Sequence, residues 1–232
     1  MTARAHEDAS FGGPGKAFLK ALRTMGASMV DLATISIQSP EGPRQISLQT
    51  DTGKFMHEVR EGLRLEQWRR LSLRRESFQG LELSLDRTST DALKGRLRGL
   101  EAYRLRTIQA GAIATLQRCH RAKWCDSAAC PHCGALETTV HILDECEHYA
   151  PIRYKEITRH DWHRLPPCLR IHGLMPQHQS FPVLPVDSLE RAGLAGTVQY
   201  TLLDILAERQ LHMPATMVPL PRWRVEQPSA AS

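Results

Sequence analysis

The sequence is poor in the groups that build or anchor many other kinds of protein. Aromatic residues make up 6% of its 232 positions, too few for the aromatic-filled core of a β-sandwich. No apolar run approaches the roughly 18 to 20 residues that a bilayer span requires, so insertion into a membrane is not expected. The N-terminal stretch carries Glu7, Asp8 and Lys20 and lacks a continuous apolar run ending in small residues, which argues against a secretory signal. Enzyme signatures are missing as well: there is no P-loop, no dinucleotide fingerprint and no Ser or Cys nucleophile motif. Asp161 and His163 flank Trp162, but a lone Asp-x-His is an ordinary surface pattern. The expectation is a non-catalytic chain inside the cell, nuclear or cytoplasmic, with no membrane and no small-molecule substrate.

What is present fits a soluble fold with a modest core. Apolar residues reach 41% and charged residues 24%, near the averages for soluble proteins. The length suits one domain with an elaborate periphery or two small ones. Fourteen prolines and fifteen glycines point to helices joined by long irregular connections.

Along the chain, 1–53 reads as a loose leader over the first fourteen residues, a short helix at Lys16 to Met25 and a hairpin. Its strands are expected at Met29 to Ile37 and Gln45 to Gln49, with Pro40 to Pro43 in the turn. In 54–123, Phe55, Val59, Leu63, Trp68 and Leu71 recur at helical spacing, although Gly62 weakens the pattern. A second helix is expected to start at Thr90 or Asp91, either of which can cap it, and to run through Leu93, Leu97 and Leu100, with Gly95 and Gly99 as interruptions. Leu105, Ile108, Ala112 and Leu116 extend an apolar stripe toward the cysteines. The segment 124–154 holds the cysteine cluster. In 155–187, Pro166, Pro167, Pro176, Pro182 and Pro185 mark an irregular connector. Finally, 188–232 carries an amphipathic helix, with Leu189, Leu194, Val198, Leu202, Ile205 and Leu206 on one stripe and Asp204, Glu208 and Arg209 outside it, before a Pro-rich disordered tail.

Charge is uneven. The formal net charge is +5, yet 54–123 holds 16 basic against 8 acidic residues, while 1–53 is balanced at 5 and 5 and 124–232 has 9 against 12. Thirteen of the sixteen basic residues are arginines, whose planar guanidinium suits bidentate phosphate contact and stacking on bases. Arg69, Arg70, Arg74, Arg75, Arg104, Arg106, Arg118 and Arg121 are the candidate nucleic-acid contacts, with RNA or DNA as partner. The competing reading is a solvated helix face, since Glu58, Glu61, Glu66 and Glu76 stand at pairing distance along a helix.

Six cysteines occur, and five of them, Cys119, Cys125, Cys130, Cys133 and Cys146, fall within 28 residues. In an intracellular chain such clustering points to metal before disulfide. Cys130, Cys133, His141 and Cys146 spell C-x2-C-x7-H-x4-C. Two thiolates separated by two residues can be aimed at one ion by a tight turn, which Gly134 supports because it can take a positive φ. Thr138 or Thr139 can cap a short helix carrying His141, with Cys146 near its end. Three thiolates and one imidazole close a tetrahedron, so the implied cofactor is one structural Zn2+. Cys125, His120, His132 and His148 lie close enough in sequence to replace a ligand, although His132 is expected to point away; Cys119 and Cys168 read as ordinary buried cysteines. The expected fold is mainly α: a helical protein with one small zinc-knuckle module, a short N-terminal β-hairpin and an irregular Pro-rich C-terminal part.

The string from Cys130 to Cys146, with Glu137 and Thr138 ahead of His141 and Arg153 beyond Cys146, resembles the cysteine-histidine motif near the C-terminus of reverse-transcriptase polyproteins of non-LTR (LINE-like) retrotransposons. Leu105 to Ala112 and Arg118 to Arg121 are similar to the helical region before that motif, so the likeness spans about Leu100 to Tyr154. It implies that Cys130, Cys133, His141 and Cys146 are zinc ligands and that the chain binds element RNA or target DNA, with a retroelement polyprotein as a further partner. The departures are equally plain. No paired-aspartate polymerase motif occurs, Asp31, Glu41 and Asp51 lack the context of a ribonuclease H, and Asp161, Asp187 and Glu190 lack a nuclease framework. The chain is therefore expected to correspond to a detached tail of such a reading frame.

Overall fold

The computed structural model describes residues 14–39, 42–47, 49–177, 184–185 and 187–212. Residues 1–13 of the expected leader, Pro40 and Glu41 of the expected hairpin turn, and the Pro-rich tail lie outside these residues. The described chain is mainly α-helical with one small antiparallel sheet, and it divides into two compact units. The described residues of the first fall within 1–92, 165–169 and 174–195, and those of the second within 93–164, 170–173 and 196–232. No described helix is long and apolar enough to cross a membrane.

The first unit starts with α1 (Pro14–Thr24), followed by β1 (Ser28–Met29), β2 (Thr34–Ser39) and β3 (Gly42–Ser47) in the order β1-β2-β3. The expected hairpin thus gains a strand, because Met29 to Ile37 is not continuous. The Asp31 side chain accepts the Ala33 N–H at 2.7 Å, an Asx turn that folds Met29 back against Ile35. Pro43 sits on β3 at the sheet edge, where its missing N–H costs no ladder bond. Next, α2 (Thr52–Arg74) is capped by Asp51, which accepts from Gly53 N and Lys54 N. Gly62, the weak point of the helical pattern, has a packing reason: a Cβ there would lie 3.3 Å from Ile37 Cβ and Cδ1, so the glycine lets α2 approach β2. Leu22, Ala27, Ile35, Ile37 and Ile46 form the core of this region, with Phe55 and Val59 of α2 packed on it.

Phe78, Leu81, Cys168 and Leu174 form a second cluster, which Trp68, Leu71 and Leu85 join. The helix expected to begin at Thr90 instead ends there. Its Asp86 cap accepts from Ser89 N at 3.1 Å and starts the short α3 (Arg87–Thr90), while Arg191, buried, donates to the same carboxylate at 2.9 Å.

In the second unit, α4 (Gly99–Gln109) starts at a glycine with φ +54° and is followed by Gly111 at φ +60°. That glycine breaks the expected stripe between Ile108, which is buried, and Ala112, which is exposed. Thr115 then caps α5 (Leu116–Arg121) through Arg118 N. A short α6 (Ala150–Arg153) follows the cysteine module. The segment expected to be an irregular connector contains α7 (Arg159–Arg164) and α8 (Pro167–His172). Thr158 caps α7 by exchanging hydrogen bonds with Asp161, and Pro167 opens α8 at the position where a missing N–H is harmless. Trp162, Leu169 and Ile171 are buried there. Last comes α9 (Ser188–Leu211), close to its expected bounds. Leu189, placed on the apolar stripe by periodicity, is exposed, whereas Arg209, placed outside it, is buried.

Candidate metal centre

The cysteine module starts as a tight hairpin. Ala129 bridges Leu136, Cys130 N donates to Ala135 O at 2.6 Å, and Gly134 N returns to Cys130 O at 2.9 Å. Gly134 takes φ +77° with open space around its Cα, so the reversal needs glycine for its backbone and not for room. The chain then enters a π-helical turn, His141–Glu145, with Thr138 Oγ1 accepting the His141 N–H at 3.0 Å. Thr138 is therefore the cap, as one of the two expected threonines. The turn closes through Cys146 N to His141 O at 2.7 Å. In an α-helix, positions five apart are rotated by about 140° and face away from each other. The wider winding brings Cys146 back beside His141.

The ligand atoms of Cys130, Cys133, His141 and Cys146 all lie within 4.8 Å of one another. Cys130 Sγ and Cys146 Sγ are 3.9 Å apart, and Cys133 Sγ and His141 Nε2 are 3.3 Å apart. A tetrahedral ion with sulfur bonds of about 2.3 Å and nitrogen bonds of about 2.0 Å would set these edges at about 3.8 and 3.5 Å. The four groups thus form a set able to hold one metal ion. Cys130, His141 and Cys146 are buried while Cys133 is exposed. Burial pushes the Cys146 thiol up to about 12, opposed by a backbone hydrogen bond from His148 and reinforced by Cys130 and Cys133. A divalent ion, if held there, would supply the charge that lets such crowded sulfurs ionise.

Around the ligands, polar side chains hold the module in place. Arg153, fully buried, donates from Nη2 to Cys146 O at 2.6 Å, while its Nε and Nη1 have no partner among the described residues. A buried cation bonded to the main chain of Cys146, with donors to spare, suits a metal centre that would carry net negative charge. Asp144 of the π turn accepts from Trp162 Nε1 at 2.8 Å and pairs with Arg170 at 3.2 Å. Glu137, 2% exposed, accepts the Leu116 N–H at 2.7 Å, fastening the start of α5 to the hairpin, and pairs with Arg209 Nη2 at 2.7 Å. Arg209 also donates to Ala114 O.

No family model, curated protein or solved structure matches the chain. The site therefore rests on its own geometry.

The alternative ligands sit elsewhere. The Cys125 thiol donates to Ser127 O at 3.2 Å. His132 turns away from the sulfurs' set and stacks on the His148 ring at 3.6 Å. Cys119 and Cys168 are buried outside the set, and burial pushes both thiols upward. Asp161 is taken up by Thr158, and His163 meets the Tyr154 hydroxyl at 3.3 Å.

The eight arginines divide evenly, Arg69, Arg70, Arg74 and Arg75 in the first unit and Arg104, Arg106, Arg118 and Arg121 in the second. Several are engaged within the chain. Arg69 holds Glu66 with two bonds at 2.8 and 3.0 Å, and Arg70 reaches the same carboxylate at 2.6 Å. Arg104 bonds the Gln210 side chain, and Arg118 donates to Ile113 O and Gly111 O. Arg74, Arg75, Arg106 and Arg121 are exposed with their charge directed to no described acidic group. Trp124, which belongs to no motif or periodic stripe of the sequence, is 58% exposed three residues past Arg121.

Proposed function

We propose that this is a zinc-binding, nucleic-acid-binding protein similar to the C-terminal tail of a non-LTR retrotransposon reverse transcriptase, contacting RNA or DNA without catalytic activity of its own. The convergence of Cys130, Cys133, His141 and Cys146 carries the reading. Three soft sulfurs and an imidazole favour zinc over hard cations, and four protein ligands leave no position for a reacting water, so the ion is structural.

Support for nucleic acid comes from α5 and the turn after it. Arg121 and Lys123 are exposed there, and Lys123 takes φ +58° just before the exposed Trp124. An indole face beside cationic side chains offers stacking and phosphate contact together, the combination used on single strands. A second reading, a zinc-stabilised protein-interaction adaptor, draws on Leu100 and Tyr103, both more than half exposed on α4.

Metal analysis and salt dependence test the proposal together. The purified chain should hold one tightly bound zinc in its sulfur site, lost in both Cys133→Ala and His141→Ala; a metal-free protein with unchanged helicity overturns the reading. Affinity for RNA or DNA should fall linearly against salt on logarithmic axes, with Arg121→Ala reducing the slope by about one. A slope near zero with a protein ligand favours the adaptor. A retroelement remnant without a present role would keep its zinc and bind neither.

A further inference from the structure

A second cluster of metal-binding side chains lies outside the sulfur site. Glu208 stands in the last turn of α9, and His212, four residues on, directly follows the helix and reaches back to it. His148 belongs to the 3-10 turn that follows Cys146. The ligand atoms of His148, Glu208 and His212 all lie within 4.8 Å of one another.

We propose that these three side chains form a second, open site for a borderline divalent transition ion such as zinc, cobalt, nickel or copper. Glu208 Oε1 and His212 Nε2 are 3.1 Å apart. Two ligands at right angles on bonds of about 2.1 Å would be about 3.0 Å apart, so this edge already has the required length. An ion pair between two residues four apart on a helix accounts for Glu208 and His212 alone. It does not account for the imidazoles gathered beside them. His148 and His212 have ring centroids 5.8 Å apart at 88°, and His132 lies flat on His148 at 3.6 Å and edge-on to His212 at 5.0 Å. His132 Nε2 is shut off from solvent without a hydrogen-bond partner. Two imidazole nitrogens and a carboxylate oxygen therefore lie around one small volume, where a cation can take all three as ligands. His132 supplies a flat wall that fixes the His148 ring.

The donor set selects the class of ion. Imidazole nitrogen disfavours magnesium and calcium, and the absence of sulfur makes the site weaker and more exchangeable than its neighbour. His148 and His212 are exposed and Glu208 is partly so, leaving the remaining coordination positions to water. A bound ion would join the end of α9 to the segment leaving Cys146, reinforcing the tie that Arg209 makes to Glu137.

Cobalt titration of the full chain tests the proposal, because thiolate ligands give cobalt an intense near-ultraviolet charge-transfer band that imidazole and carboxylate do not. Two equivalents should bind, the first with the band and the second without it. His212→Ala should weaken the second equivalent by more than about a hundredfold, beyond what changes outside a coordination sphere produce, and leave the band untouched. Glu208→Gln, which keeps size and helix propensity, should weaken it in the same direction, with circular dichroism confirming helicity. Binding of one equivalent only, with the band, overturns this proposal and leaves the sulfur site standing. One equivalent without the band does the reverse. A second equivalent that persists in the His148→Ala, His212→Ala double variant overturns the assignment to these residues.

Discussion

Two buried carboxylates, one in each unit, are neutralised in opposite ways. Glu66 sits on α2 and takes both its arginines, Arg69 and Arg70, from the next turn of the same helix. The carboxylate is 6% exposed, but the arginine side chains are 49% and 42% exposed, so water screens the pairing. Gly26, at φ +68°, leaves room for it: a Cβ there would approach Glu66 Cγ to 3.0 Å. Glu137 is paired at long range, with an arginine on α9 that is itself only 9% exposed, and with a backbone N–H at the start of α5. The first arrangement trims a helix surface. The second fastens three pieces of chain together and is completed only on folding.

The largest effect should follow from breaking the second arrangement. Glu137→Gln leaves the Arg209 charge buried without a counter-charge, which typically costs about 3–5 kcal/mol, and chemical denaturation should show the loss. Replacing both members with apolar groups should restore part of it, a coupling that a double-mutant cycle measures. Losses that simply add would contradict the strut.

A smaller, pH-dependent effect should come from Glu66. The Arg69 hydrogen bond, opposed by burial and aided by Arg70, lowers its carboxyl from 4.5 to about 2. Because the folded state lowers this pKa, the stabilisation is complete above the unfolded value near 4.5 and disappears as pH falls toward 2. Glu66→Gln should flatten the stability profile of the chain between those limits and cost about 1 kcal/mol at neutral pH. The smallest effect should belong to Arg69→Ala, within about 1 kcal/mol, since Arg70 still reaches the carboxylate.

The same contrast explains what the sequence revealed. The cluster able to hold a metal ion was legible because its geometry is local: a turn at Gly134 and a cap at Thr138 bring Cys130, Cys133, His141 and Cys146 together within seventeen residues. Helix α9 was legible from its period, but periodicity sends every charged residue to solvent, so Arg209 was misplaced; its partner is far off in sequence. Prolines at 166 and 167 read as a connector, although Pro167 starts α8 and Cys168 and Leu169 behind it are fully buried. Ala33, held by Asp31, split one expected strand into two. Of the eight arginines, spacing identified the pairing competitor correctly for Glu66 but gave no hint that Arg118 would be tied to main-chain carbonyls. His148 and His212 were invisible as a pair because only the folded chain brings α9 to the cysteine module.

The turn from His141 to Glu145 also gives the motif's arithmetic a conformational meaning. With four residues between histidine and cysteine, the looser coil of the backbone is what sets the two side chains near one another. A spacer one residue shorter would meet the same demand with ordinary α winding, since positions four apart already share a face. The number of letters between His141 and Cys146 is thus a record of helix pitch.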